Sequence, residues 1–170
     1  MVVICVIPAR YGSTRLPGKP LLDIAGKPMI QHVVERVRLA KTPQRIVVAT
    51  DDARIQAAVE KFGGQAMLTA ADHPTGTDRL AEVADAFPEV DLIINVQGDE
   101  PLIPPQAIDA LAEVFLNRPD LQMATLITAL EAADAENPAV VKVVASLDGH
   151  ALYFSRSLIP YPRSPGPHCR

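Results

Sequence analysis

Five short aliphatic runs, at residues 2–7, 45–49, 92–96, 123–128 and 140–145, constrain this chain more than any other feature. They show little polar alternation, and a strand covered on both faces requires that. Between them the apolar residues recur at helical spacing: Ile30, Val33, Val34 and Val37; then Ile55, Ala58, Val59 and Phe62; then Leu80, Val83, Ala84 and Phe87; then Ile108, Leu111, Ala112 and Phe115. Strands alternating with amphipathic helices predict an α/β fold, a mostly parallel sheet flanked by helices. The helix starts are marked as well. Pro28 suits a first helical turn, Asp51 or Asp52 can cap the second helix, and Pro104-Pro105 opens the fourth. Four prolines and a glycine in residues 159–170 predict a terminal loop.

A chain of 170 residues, 48% hydrophobic, without Trp and with 4% aromatics, is expected to form one domain, 1–170, around an aliphatic core. The net charge of -4 argues against nucleic acid or an anionic membrane as a partner, because those recruit a basic face. Cys5 and Cys169 make neither a disulfide framework nor a paired metal spacing, which fits a reducing cytoplasm. The opening MVVICVIP lacks a basic leader and is too short to span a membrane, so it reads as a buried strand.

In an open parallel sheet, ligands bind beyond the carboxyl ends of the strands. The polar signatures of this sequence fall at such ends. After the first run, Gly12 allows close backbone approach while Arg10, Arg15 and Lys19 supply cations suited to phosphate oxygens. This is not a P-loop. Five residues separate Gly12 from Gly18 where that motif has four, and Pro20 stands where it needs a magnesium-binding hydroxyl. After the third run, Asp99 and Glu100 follow Gln97-Gly98, and an acidic pair there can hold Mg²⁺ together with phosphate oxygens and water. Thr50-Asp51-Asp52 reads as a helix cap alone. HPTGTDR, at 73–79, reads either as a cap, with Thr77 the capping residue, or as a loop contacting a base or ribose. His32 falls on the polar side of its helix and His150 in a turn after Asp148-Gly149.

Five segments, VIPARYGSTRLPGKPL, DHPTGTDR, NVQGDEP, NPAVVKVV and ALYFSR, in this order and spacing, resemble the 3-deoxy-D-manno-octulosonate cytidylyltransferase (CMP-Kdo synthetase) family. The likeness runs from Met1 to about Arg163. The first segment alone marks the wider sugar nucleotidyltransferases, and the set of five is specific to this family. The resemblance implies a Rossmann-like sugar nucleotidyltransferase fold. It also implies Mg²⁺-dependent transfer of CMP from CTP to 3-deoxy-D-manno-octulosonate (Kdo), with release of pyrophosphate, for lipopolysaccharide assembly in the cytoplasm. Ala9, Arg10, Gly12, Ser13, Arg15 and Lys19 would surround CTP, and His73, Thr75, Gly76, Thr77 and Arg79 would lie on its cytidine side. Thr75 stands where serine is more usual. Asp99 would hold Mg²⁺, Gln97 would contact the sugar, and Arg156 would pair with the Kdo carboxylate. Arg10, Lys19 and Asp99 would carry the catalysis. Family members run on past this sequence, implying a second magnesium aspartate, further sugar contacts and much of a homodimer interface beyond residue 170. The chain is therefore expected to be incomplete at its C-terminal end and weakly active or inactive alone. Two other readings stay open. One is a cytidylyltransferase for another acidic sugar such as sialic acid, against which Gln97-Gly-Asp-Glu-Pro and Tyr-Phe-Ser-Arg argue. The other is a non-catalytic nucleotide-binding fragment.

Overall fold

Both faces of the first strand are apolar because both are covered. The computed structural model describes residues 1–12 and 16–161. In chain order its elements are β1 (Val3–Ala9), a 3-10 turn at Lys19–Leu21, the short pair β2 (Asp23–Ile24) and β3 (Lys27–Pro28), α1 (Met29–Val37), β4 (Arg45–Thr50), α2 (Ala53–Lys61), β5 (Gln65–Leu68), α3 (Gly76–Ala86), β6 (Leu92–Asn95), α4 (Pro105–Asn117), a second 3-10 turn at Ala132–Asp134, β7 (Lys142–Ala145) and β8 (Ala151–Ser155). The main sheet runs β5-β4-β1-β6, and each pairing in it is parallel. Successive side chains of β1 point to opposite faces. Val3, Cys5, Ile7 and Ala9 pack with Ile30 and Val33 of α1, Ile55 and Val59 of α2, and Ile108 and Ala112 of α4. Ile4 and Val6 pack on the other face with Val83 of α3. Each fully buried aliphatic side chain in this sandwich contributes roughly 1.5–3 kcal/mol. Burial also pushes the Cys5 thiol up to about 12, so it stays protonated and unreactive at neutral pH.

The strand order reverses at β1. From β1 the chain steps outward to β4 and β5, then returns to place β6 on the other side of β1. Loops leaving β1 and β6 therefore diverge, opening a crevice at their carboxyl ends where a ligand can sit.

Backbone contacts divide the chain into two compact units, one of residues 1–124 and one beginning at Thr125. In the first unit, α4 is tied to the α1–β4 connection through Asp109, whose Oδ1 accepts from Lys41 N, Thr42 N and Thr42 Oγ1 at 2.7–2.9 Å. Burial alone would raise this carboxyl, but the Thr42 hydroxyl, then the Thr42 and Lys41 amides, outweigh it and hold the group below its ordinary value of 3.8. The stabilisation is therefore present above the unfolded value and lost as pH falls through the lower folded one. Asp109→Ala is expected to cost about 1–3 kcal/mol at neutral pH. The gap in melting temperature from the parent should narrow as pH drops below about 3.8. A gap that stays constant with pH would contradict this account.

Two strand expectations differ from the structure, and one strand forms where none was expected. Residues 123–128 form no strand, and Met123, Leu126 and Ile127 are exposed. An apolar run becomes a strand only where a neighbour supplies a ladder. The run at 140–145 becomes β7, which pairs antiparallel with β8 in a separate two-stranded sheet rather than joining the parallel one. β5, whose sequence QAML has neither alternation nor β-branched residues, forms because β4 offers it a parallel edge. Thr75 rather than Thr77 caps α3. Its Oγ1 accepts from Asp78 N at 3.2 Å and Asp78 Oδ2 accepts from Thr75 N at 3.0 Å, a reciprocal box. His32, expected to be solvated, places Nε2 2.7 Å from the Ile24 carbonyl oxygen.

In the second unit, the buried Lys142 ammonium donates to three carbonyls, Asn137 at 2.5 Å and Val140 and Arg156 at 3.0 Å. The Arg156 side chain returns the contact, donating through Nη1 to the Pro138 carbonyl at 2.8 Å. The NPAVVK and YFSR segments are thus locked together through main-chain oxygens. Lys142→Met would leave those acceptors unpaired at a cost of about 1–3 kcal/mol. Hydrogen exchange in β7 and β8 is expected to accelerate by about tenfold or more. Unchanged protection would show that the lysine is dispensable.

Candidate active site

The crevice predicted by the strand order holds charged side chains from separate parts of the sequence. Pro8, Ala9 and Arg10 from the end of β1, Lys19 from the following turn, and Gln97 and Asp99 after β6 border a cavity of about 140 Å³. Lys19 Nζ donates to Asp99 Oδ2 at 2.6 Å, joining two loops 80 residues apart. Both side chains keep substantial exposure, 39% and 51%, so each can reach a ligand entering from solvent. A larger cavity of about 430 Å³ opens elsewhere, at the amino ends of β4 and β5 around Gln44, Arg45, Gly64 and Gln65. It lies away from the carboxyl ends where this fold binds ligands, and it lacks a facing carboxylate–cation pair.

Backbone geometry sets where Asp99 stands. A Cβ added to Gly98 would lie 2.7 Å from the Pro8 carbonyl oxygen, so only glycine lets the β6 loop lie this close to the end of β1. Gly18 has φ +69° and faces the Tyr11 ring, with its N–H donating to the Tyr11 carbonyl at 2.8 Å. That bond ties together the two ends of the first loop just before Lys19. Among the described residues nothing lies within 4 Å of a Cβ added to Gly12. Ser13 and Arg15 lie outside the described residues.

The 73–79 segment comes to the same edge. Arg10 Nη2 donates to the His73 carbonyl at 2.6 Å, and a Cβ added to Gly76 would lie 3.6 Å from the Pro8 ring. Thr75 and Thr77 are exposed there. Arg79 is different. Its side chain is fully buried, paired with Asp51 Oδ2 at 3.2 Å and donating to Thr69 Oγ1, which in turn donates to the Thr50 carbonyl. Arg79 Nε and Asp51 Oδ1 are buried and have no hydrogen-bond partner among the described residues. The cap reading of Thr50-Asp51-Asp52 therefore holds for Asp52, which accepts from Arg54 N at 2.9 Å, but not for Asp51. Arg156 belongs to the second unit, where the Lys142 contact fixes its main chain.

Asp99 is the group here suited to a divalent cation. Among the described residues no three His, Cys, Asp or Glu side chains cluster as a metal cage. Mg²⁺ does not need one, since it takes one or two carboxylates and completes its shell with water and phosphate oxygens. Asp99, the carboxylate that borders the cavity, fits that mode of binding. A cytidylyltransferase family profile matches residues 4–165. The chain belongs to the cytidylyltransferase family. Within that family it is 55% identical over 161 residues to the Escherichia coli 3-deoxy-manno-octulosonate cytidylyltransferase, covering 95% of this chain and 65% of that protein. It is 53% identical over 163 residues to the Myxococcus xanthus enzyme of the same name, covering 96% of this chain and 66% of that protein. A solved CMP:2-keto-3-deoxy-manno-octonic acid synthetase complexed with CTP superposes with TM-score 0.92 at 54% identity, covering 96% of this chain and 67% of that one. This cytidylyltransferase chain therefore spans just under two thirds of the length of the curated relatives first matched.

Sequence reasoning missed Asp51 as a partner of Arg79, and it missed Glu82. Arg79 and Glu82 stand three apart in α3, a spacing that puts both on one helix face, but nothing local says what that face meets.

Proposed function

We propose that this chain carries the nucleotide half of a 3-deoxy-D-manno-octulosonate cytidylyltransferase, the enzyme that moves CMP from CTP to Kdo and releases pyrophosphate for lipopolysaccharide assembly in the cytoplasm. The observation that carries the reading is the meeting of Arg10, Lys19 and Asp99 at the β1–β6 crevice of a cytidylyltransferase fold. Arg10 and Lys19 would hold the triphosphate and offset the charge that builds on the departing pyrophosphate oxygens. Lys19 would exchange its Asp99 partner for phosphate as the nucleotide enters. Asp99 would hold Mg²⁺, which when bound supplies charge neutralisation to the phosphates. The Kdo anomeric hydroxyl would attack the α-phosphorus directly, with no protein nucleophile. The buried Cys5 offers none. Gly12, Ser13, Arg15 and Ala9 would complete the CTP contacts, His73, Thr75, Gly76 and Thr77 would border the cytidine, Gln97 would meet the sugar, and Arg156 would fork onto the Kdo carboxylate. A homodimer is part of the same reading.

The test is a calorimetric titration of the chain with CTP, UTP, ATP and GTP in Mg²⁺. A preference for CTP by about tenfold or more supports the reading. Equal binding of all four would leave a phosphate site and remove the cytidine assignment, and no binding would remove both. Asp99→Asn is expected to flatten the Mg²⁺ dependence of CTP affinity, and a titration matching the parent would end the metal assignment. Pyrophosphate release in the presence of Kdo separates an enzyme from a binding fragment, and competition by sialic acid tests the sugar.

A further inference from the structure

The inner face of α3 carries an ionic group that the nucleotide reading does not use. Glu82 sends one oxygen, Oε2, toward the loop after β5, where it accepts from Ala70 N at 2.9 Å and pairs with His73 Nε2 at 2.5 Å. Residues 70–73 belong to no helix or strand, so this single oxygen holds both ends of the segment. The main chain it holds is the one that meets Arg10, whose Nη2 donates to the His73 carbonyl at 2.6 Å. Two contacts in series, through His73, thus run from the helix to the guanidinium, with the Ala70 bond beside the first. His73 is about four-fifths buried and Glu82 about two-thirds buried, at 19% and 34% side-chain exposure, which limits competition by water. The hydrogen bond from His73, then that from the Ala70 amide, holds the Glu82 carboxyl below its usual value, so it is ionised at neutral pH.

We propose that Glu82 is a positioning residue of the nucleotide site, acting through the His73 main chain to fix the Arg10 guanidinium before a phosphate arrives. An arginine at a strand end has many rotamers available, and a ligand that must select one of them binds more weakly than one that meets it already placed. The carbonyl of His73 performs that selection only while residues 70–73 stay in position, and Glu82 keeps them there. Its amide analogue can do the same, because one acceptor oxygen serves both contacts. The proposal rests on the reading of the crevice as a CTP site.

The experiment is a CTP titration in Mg²⁺ of the parent chain and of Glu82→Ala, Glu82→Gln, Arg10→Ala and the Glu82→Ala/Arg10→Ala pair, each with its thermal melt. Glu82→Ala is expected to weaken CTP binding by about tenfold while melting close to the parent, and Glu82→Gln to recover most of the loss. In the Arg10→Ala background, removing Glu82 should change CTP affinity little, since the group it positions is already gone. Glu82→Ala binding CTP as the parent does would overturn the proposal, as would Glu82→Gln binding as weakly as Glu82→Ala, or a Glu82 effect undiminished without Arg10. A parent that fails to bind CTP would overturn the crevice reading and this proposal together. A parent that binds beside an unaffected Glu82→Ala would overturn this proposal alone.

Discussion

Lys19→Ala is expected to lower CTP affinity by about tenfold and, in any transfer reaction the chain carries, pyrophosphate release by about 10²–10³-fold, while the melting temperature moves by no more than about 2 °C. The asymmetry follows from where the lysine sits. Among the described residues its partner is Asp99, at 2.6 Å, and both side chains are more than a third exposed. An ion pair in that setting contributes under about 1 kcal/mol, because water and salt screen it and two long side chains must be held still. Against a triphosphate the same ammonium would meet several negative charges inside a crevice, where each contact is stronger than in bulk water. Removing it therefore costs the bound state far more than the free fold. Parallel titrations and melts of parent and variant decide the matter. Comparable losses in both would mean that the Lys19–Asp99 contact holds the two loops together and that the phosphate role is wrong.

Gly98→Ala should behave in the opposite way, losing stability and binding together. The new methyl would stand 2.7 Å from the Pro8 carbonyl oxygen and 3.7 Å from both the Ala9 Cβ and the Ile7 Cγ2. The nearest atom is main chain in the central strand, so it cannot rotate aside. The β6 loop must retreat instead, at about 1–3 kcal/mol. Asp99 follows immediately and moves with it, so the Lys19 pairing and the Mg²⁺-dependent affinity for CTP should fall too. Gly12→Ala provides the control within the same site. Among the described residues no atom lies within 4 Å of its added methyl, and its melting temperature is expected to match the parent. If Gly98→Ala melts with the parent, the close approach of β1 and β6 is not what places Asp99.

Much of the frame was legible in the chain because periodicity is a local property. The apolar run of β1 and the i, i+3, i+4, i+7 sets of α1, α2 and α4 were written for the layers that cover them, and the structure packs all of the α1 set, Ile55, Val59 and Phe62 of α2, and Ile108, Leu111 and Ala112 of α4 against one face of β1. The phosphate-suited cations and Asp99 were legible from residue type and from their position after apolar runs. Two local signals misled. The aliphatic residues of 123–128 suggested a strand where no partner strand exists among the described residues, and Thr77 looked like the α3 cap although Thr75, paired with Asp78, fills that place.

What the sequence determined by itself was the α/β class, the four amphipathic helices, the loops that bear charge, and, through five ordered segments, the family. What the tertiary structure decided was which of those loops meet. The reversal of strand order at β1 brings Lys19 to Asp99, an edge on β4 makes a strand of Gln65–Leu68, and α3 turns Arg79 toward Asp51 and Glu82 toward His73. Those contacts join residues between 9 and 80 positions apart. Side-chain period and propensity reach only about a helical turn along the chain, so pairings at that range leave no local trace and come into being only when the layers pack.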